Sequence, residues 1–133
     1  MKIIICPDSF KGSLSASDAA AAIDAGVASA FSDAKRELIP LADGGEGTVD
    51  ALTSVSGGQI INLEVAGPLG EPVQAYYGVM GDGKTAVIEM AAASGLDLVP
   101  SAKRDPRFTT TYGTGQLILD AYNRGYRSLI IGI

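Results

Sequence analysis

The feature that most limits the fold is an order that occurs twice within residues 2–55: a short apolar run, a polar or glycine-rich loop, then an amphipathic stretch. Lys2 to Cys6 is an Ile-rich run ended by Pro7, which reads as a buried strand. After the loop Pro7 to Leu14, the chain from Ser15 to about Phe31 reads as a helix. Ser15 is in position to be its N-cap, with Asp18 three residues on, close to a capping box. Ile23, Val27 and Phe31 recur at helical spacing and predict one apolar stripe. Glu37 to Leu41 is the next expected strand, and it runs through a glycine-dense turn into a helix over about 48–55. Strand, loop and helix in this alternation predict an α/β fold with a parallel, Rossmann-like sheet.

The pattern then changes. Gln59 to Ala66 reads as a strand, 66–72 as a turn, and Val73, Ala75, Tyr77 and Val79 alternate as a half-exposed strand does. Gly81-Asp82-Gly83-Lys84 is a hairpin signal, answered by a partner strand from Thr85 to Met90. This stretch reads as antiparallel. The expected organisation is therefore a first domain over 1–62 and the start of a second, mixed α/β domain over 63–133. Pro100 to Arg107 reads as an irregular connection, Thr114 to Arg124 as a helix with Gly125 as its C-cap, and Ser128 to Ile131 as a final apolar strand.

Charge and composition narrow the chemistry. The formal net charge is −5 and the Lys and Arg residues form no block, which argues against a nucleic-acid or anionic-membrane partner. No apolar run reaches the ~18 residues of a membrane span, and the run at the start is too short for a signal peptide. His is absent, so this chain supplies no Ser-His-Asp, Cys-His or His-metal mechanism. The single Cys6 excludes an internal disulfide and fits a cytoplasmic setting. What remains is Asp, Glu, Lys, hydroxyls, backbone dipoles and a hard cation.

Three loops carry those groups, each expected between a strand and a helix start, where α/β folds bind ligands. The first, Pro7 to Ser15, combines Asp8, Ser9, Lys11, Ser13 and Ser15 around Gly12. Lys11 can hold a carboxylate or phosphate, and Asp8 can hold Mg²⁺ or orient a substrate hydroxyl. Lys11-Gly12-Ser13 has the wrong order for a Walker A loop. The plainer reading is a polar loop with a helix cap. The second loop is Asp43-Gly44-Gly45-Glu46-Gly47-Thr48. Its glycines let a ligand approach the backbone, and successive N–H groups can form an anion-binding concavity. Asp43 and Glu46 bring two acids to the same turn, suggesting a bridging metal or a carboxylate base. The plainer reading is a tight turn whose acids favour a helix start. The third, Phe108 to Gly115, offers Thr111, Gly113 and Thr114 before a helix, a pattern that suits an anion or a simple cap.

Glu89 lies in the apolar run 86–91, where a carboxylate must be paired or face a cleft. Strand alternation favours the solvent face for it. Cys6 reads as a small apolar residue rather than a nucleophile, and Tyr76 and Tyr77 read as hairpin packing.

Taken together, Pro7-Asp8-Ser9-Phe10-Lys11-Gly12-Ser13-Leu14-Ser15-Ala16, Ala42-Asp43-Gly44-Gly45-Glu46-Gly47-Thr48, Glu89-Met90-Ala91 leading to Gly95-Leu96, and Thr111-Tyr112-Gly113-Thr114-Gly115 resemble the type I glycerate kinase family in order and spacing. The resemblance implies ATP- and Mg²⁺-dependent transfer of the γ-phosphoryl group to D-glycerate, giving 2-phosphoglycerate. It also implies a flavodoxin-like domain built from both ends of the chain and a second domain inserted within it. Family members are nearly three times this length, so the resemblance makes this chain an N-terminal portion with an incomplete fold, whose exposed sheet edges invite association between copies. Under it, Asp8, Lys11 and Asp43 are the expected catalytic set. Ser9, Lys11, Ser13, Gly44, Gly45, Glu46, Gly47, Thr48, Thr111, Gly113 and Thr114 are the expected substrate contacts. Asp8, Glu46 and Glu89 are the expected metal carboxylates. Two other readings compete: a non-catalytic module that binds an organic acid or nucleotide, and a phospho-acceptor domain using Asp8, which the antiparallel middle disfavours.

Overall fold

The computed structural model of the protein describes residues 1–10 and 12–133. They form two compact units, Met1–Asp43 and Gly44–Ile133.

The first unit is a β-α-β element. Strands β1 (Lys2–Ile5) and β2 (Lys35–Leu38) pair in parallel, with Lys2 opposite Lys35 and Ile5 opposite Leu38. Helix α1 (Ala16–Ala30) connects them. Its start is the expected capping box: Ser15 Oγ accepts from the Asp18 N–H at 3.1 Å and donates to Asp18 Oδ2 at 2.7 Å. The apolar stripe is less well used than its spacing predicts. Ile23 and Phe31 are exposed, and the buried helix residues are Ala19 and Ala20. A two-stranded sheet offers too little surface to cover a helix of 15 residues.

The second unit is a four-stranded mixed sheet in the order β3-β4-β5-β6, formed by Gln59–Ala66, Pro72–Val79, Thr85–Glu89 and Ser128–Gly132. The β3/β4 and β4/β5 pairs are antiparallel, as their alternation and turns predict. Asp82 builds the β4–β5 turn by accepting the N–H groups of Lys84 and Thr85 at 2.8 and 2.9 Å. The β5/β6 pair is parallel, aligning Thr85 with Ser128 and Glu89 with Gly132. That pairing spans about forty residues of sequence separation, and no local pattern announces it.

Helices cover both faces of this sheet. On one side Ala75, Tyr77, Val79, Ala86 and Ile88 pack with Ala93 of α3 (Ala91–Ser94) and with Leu117 and Ala121 of α4 (Tyr112–Asn123). On the other side lies α2 (Thr48–Ser56). Gly78 has no side chain because α2 leaves no room for one: a Cβ there would run into Thr53 Cγ2 and Val49 Cγ1. The compact unit Gly44–Ile133 contains α2 and the whole of β3, which runs without a break from Gln59 to Ala66. Among the described residues, no helix is long and apolar enough to cross a membrane.

Candidate functional site

The first two loops lie between a strand and a helix start, as their sequence suggests, whereas the third follows the short helical turns over 91–103 rather than a strand. In the first unit, the loop after β1 folds back on itself. Phe10 and Leu14 form an isolated bridge, with the Phe10 N–H donating to the Leu14 carbonyl at 2.9 Å. Gly12 makes the reversal possible at φ 71°. Asp8 is exposed, and its Oδ1 accepts the Ser9 N–H at 2.6 Å. Ser13 is exposed. Lys11 lies outside the described residues. Asp43, an exposed acid, closes this unit.

In the second unit, the turn 44–47 leads into α2. Gly44 and Gly47 have φ of 105° and 88°, the left-handed region where a side chain is strained. Gly44 also lies against the end of β6: a Cβ on Gly132 would strike the Gly44 carbonyl. Gly44 therefore lies in close backbone contact with β6, while a Cβ on Gly47 would meet open space. Glu46 is exposed, and Thr48 is 7% exposed. Among the described residues, Thr48 Oγ1 is a buried polar atom with no hydrogen-bond partner.

Glu89 is where the sequence expectation needs correcting. Alternation does put it on the face opposite Ala86 and Ile88, but α2 covers that face, so Glu89 is 1% exposed and not in solvent. Its Oε2 accepts the Val49 N–H at 2.9 Å, and its Oε1 accepts the Tyr76 hydroxyl at 3.2 Å. Burial, and next the Glu89 charge, push the Tyr76 hydroxyl above the ordinary tyrosine range, with Asp50 and Glu46 acting in the same direction. Both oxygens of this expected metal carboxylate are thus engaged by the chain itself. Among the described residues, no three His, Cys, Asp or Glu side chains gather as a metal cluster.

The third loop begins α4 two residues earlier than its pattern predicts. Thr114 is buried, and its Oγ1 lies 2.9 Å from Ser94 Oγ, tying α4 to α3. Gly113 allows a close approach: a Cβ there would meet the Ala66 carbonyl, and Gln116 Oε1 accepts the Ala66 N–H at 2.7 Å beside it. Thr111 is exposed and lines a cleft of about 710 Å³ with Met90, Ser94, Leu96 and Arg104. Arg104 Nε donates to the Val99 carbonyl at 3.0 Å, which places a guanidinium at this cleft. Gly113 and Thr114 are thus in close packing contact, and Thr111 is exposed at the cleft.

Sequence reasoning missed two residues. Tyr76 reads from its strand as hairpin packing, and no local pattern pairs it with Glu89. Arg104 sits in an irregular stretch with no periodicity to show where its side chain lies.

The comparisons with known proteins agree on one family. The family model described as "Glycerate kinase family" matches residues 3–133. A glycerate kinase of Bacillus subtilis (strain 168) is 62% identical over all 133 residues, and a glycerate 2-kinase of Escherichia coli (strain K12) is 57% identical over the same span. In both cases the match covers 100% of this chain and 35% of the relative, so the chain spans about a third of their length. Among solved structures, a crystal structure assigned as glycerate kinase 2 of Salmonella typhimurium LT2 superposes with a TM-score of 0.80 at 54% identity, covering 100% of this chain and 36% of the other. On the match that runs from residue 3 to residue 133, the chain belongs to the glycerate kinase family.

Proposed function

We propose that the chain forms part of an ATP-dependent kinase that transfers the γ-phosphoryl group to D-glycerate and gives 2-phosphoglycerate. One observation carries this reading: identity of 62% and 57%, across every residue of the chain, to proteins named glycerate kinase and glycerate 2-kinase. Enzymes of this class accelerate phosphoryl transfer chiefly by positioning and electrostatics, which suits a chain whose available groups are carboxylates, hydroxyls, a few cations and backbone amides.

The roles follow from side-chain chemistry. Lys11 holds the glycerate carboxylate or a phosphoryl oxygen, with Ser9 and Ser13 as hydroxyl donors beside it in the chain. Asp43 or Asp8 orients the attacking hydroxyl and takes its proton. The turn Gly44–Thr48 and the exposed Thr111 are further candidate ligand contacts. Mg²⁺ fits the oxygen-only donor set, because it takes one or two carboxylates together with phosphate oxygens and water rather than a protein cage. Asp8 or Glu46, each exposed, is the carboxylate that would hold it, and it would supply charge neutralisation on the phosphates. Within the complete family fold, the parallel β1/β2 pair is assigned to the flavodoxin-like domain and the later sheet to the inserted one. The setting we assign is the cytoplasm, with association between copies through open sheet edges.

A coupled ADP-release assay with ATP, Mg²⁺ and D-glycerate, run on this chain and on the full gene product that contains it, tests the reading. Turnover by the longer product is the expected result. No turnover by either, with both folded, moves the assignment to a module that binds an organic acid or nucleotide without reaction.

A further inference from the structure

Helix α2 has no cap of its own. The residue before it is Gly47, which sits at φ 88° and has no side chain to offer the first-turn N–H groups. The missing acceptor arrives from forty residues away, as Glu89 Oε2 receives the N–H of Val49, the second residue of the helix. Glu89 is the last residue of β5, so this bond joins the end of a strand to the exit of the glycine turn 44–47. The other oxygen, Oε1, is held by the Tyr76 hydroxyl from β4. The carboxylate therefore has two anchors, one in the sheet and one in the helix.

Such an arrangement is a poor choice for stability alone. A buried carboxylate carries a large desolvation penalty, and apolar residues of similar volume are often better for the fold. What the carboxylate does provide is a fixed point, since it ties the Val49 amide of α2 to the end of β5. The bond also takes an N–H group out of competition for ligands. It adds negative charge at a helix start that already carries Glu46 and Asp50 nearby, and all three acids bear on the Tyr76 hydroxyl. That field favours a hydroxyl or a cation at this turn over a bare phosphate.

We infer that Glu89, held by Tyr76, is a positioning residue for phosphoryl transfer. It sets the turn Gly44–Thr48, and with it Glu46, against the end of β5. The inference rests on the kinase reading of that turn. Reacting groups held out of place by about an ångström lose on the order of 100-fold in rate, so loss of the anchor reaches the chemistry without any contact to substrate.

The test uses the full gene product and the variants Glu89→Ala, Glu89→Gln and Tyr76→Phe, with kcat and KM measured alongside amide exchange at Val49. Glu89→Gln keeps an oxygen for the Val49 N–H and stays within about 5-fold of the parent, whereas Glu89→Ala loses about 10- to 100-fold in kcat with little change in KM for ATP. Val49 exchange accelerates in the Ala variant while α4 amides keep their protection. Tyr76→Phe removes one donor and shows the same pattern more weakly, which keeps the test alive if the Ala variant does not fold. An active parent whose folded Ala or Phe variant shows faster Val49 exchange and an unchanged kcat overturns the positioning role and leaves the kinase reading standing. A folded parent that phosphorylates no hydroxy acid overturns the kinase reading, and the positioning role with it.

Discussion

The Tyr77 hydroxyl donates to Asp120 Oδ2 at 2.8 Å, tying the middle of the second unit's sheet to α4. Tyr77 is fully buried, and the same Asp120 oxygen receives Arg124 Nε at 2.7 Å from one turn further along the helix. Tyr77→Phe keeps the ring and removes only this bond, so it should lower stability by about 1–2 kcal/mol. Urea denaturation checks this: the midpoint falls and the slope stays the same.

The two adjacent tyrosines also predict an alkaline limit. Burial, then Asp120 for Tyr77 and Glu89 for Tyr76, raise both hydroxyls above their unfolded value. A raised folded value means that the stabilisation is fully present below the unfolded pKa of about 10 and is lost as pH rises through the folded values. Denaturation midpoints should therefore hold to about pH 10 and fall beyond it, with a shallower fall in Tyr77→Phe. Ultraviolet titration of the folded protein, with the Phe variants to assign the signals, should show Tyr76 and Tyr77 ionising only above that range.

Gly78 is set by the closeness of α2 to the sheet. Gly78→Ala places a methyl group inside Thr53 Cγ2 and should destabilise by about 1–3 kcal/mol through overpacking. Thr53→Ser removes the obstructing methyl and keeps the hydroxyl that donates to the Val49 carbonyl at 2.6 Å. The double variant should recover most of the loss, and chemical denaturation of the four proteins in the cycle measures it.

Thr48 separates a fold role from a ligand role. Its buried hydroxyl lacks a partner among the described residues, and Val has nearly the same shape. Thr48→Val should leave stability unchanged or raise it by about 1 kcal/mol, since no hydrogen bond is lost and an unsatisfied group is removed. A fall in kcat/KM of the full gene product without a fall in melting temperature would assign the hydroxyl to a bound ligand.

Much of this architecture is legible in the sequence because its signals are local. The run Gln59–Ala66 is a strand from end to end, Gly81–Lys84 turns the chain as its glycines indicate, and Ser15 with Asp18 starts α1. The misreadings come where a distant element decides. The alternation that turned Glu89 away from Ile88 was read correctly, but nothing near residue 89 shows that α2 returns to cover that face. The parallel pairing of β5 with β6 was hidden for the same reason. In the candidate site, Gly113 and Thr114 fit a ligand-binding pattern and close packing alike, because both ask for the same small residues.

The proposed catalytic groups make a sharp prediction. Lys11→Ala or Asp43→Asn in the full gene product should lower kcat/KM for D-glycerate by about 100-fold or more, a loss of some 2.7 kcal/mol of transition-state stabilisation. A loss of no more than a few-fold, in steady-state kinetics, would remove them from the site.

The most direct test of the account is the identity of the product. Phosphorus NMR of the full gene product incubated with ATP, Mg²⁺ and D-glycerate should show ATP consumed and the signal of 2-phosphoglycerate growing in equal amount. ATP hydrolysed to free phosphate, or left intact by a folded protein, would contradict the assignment.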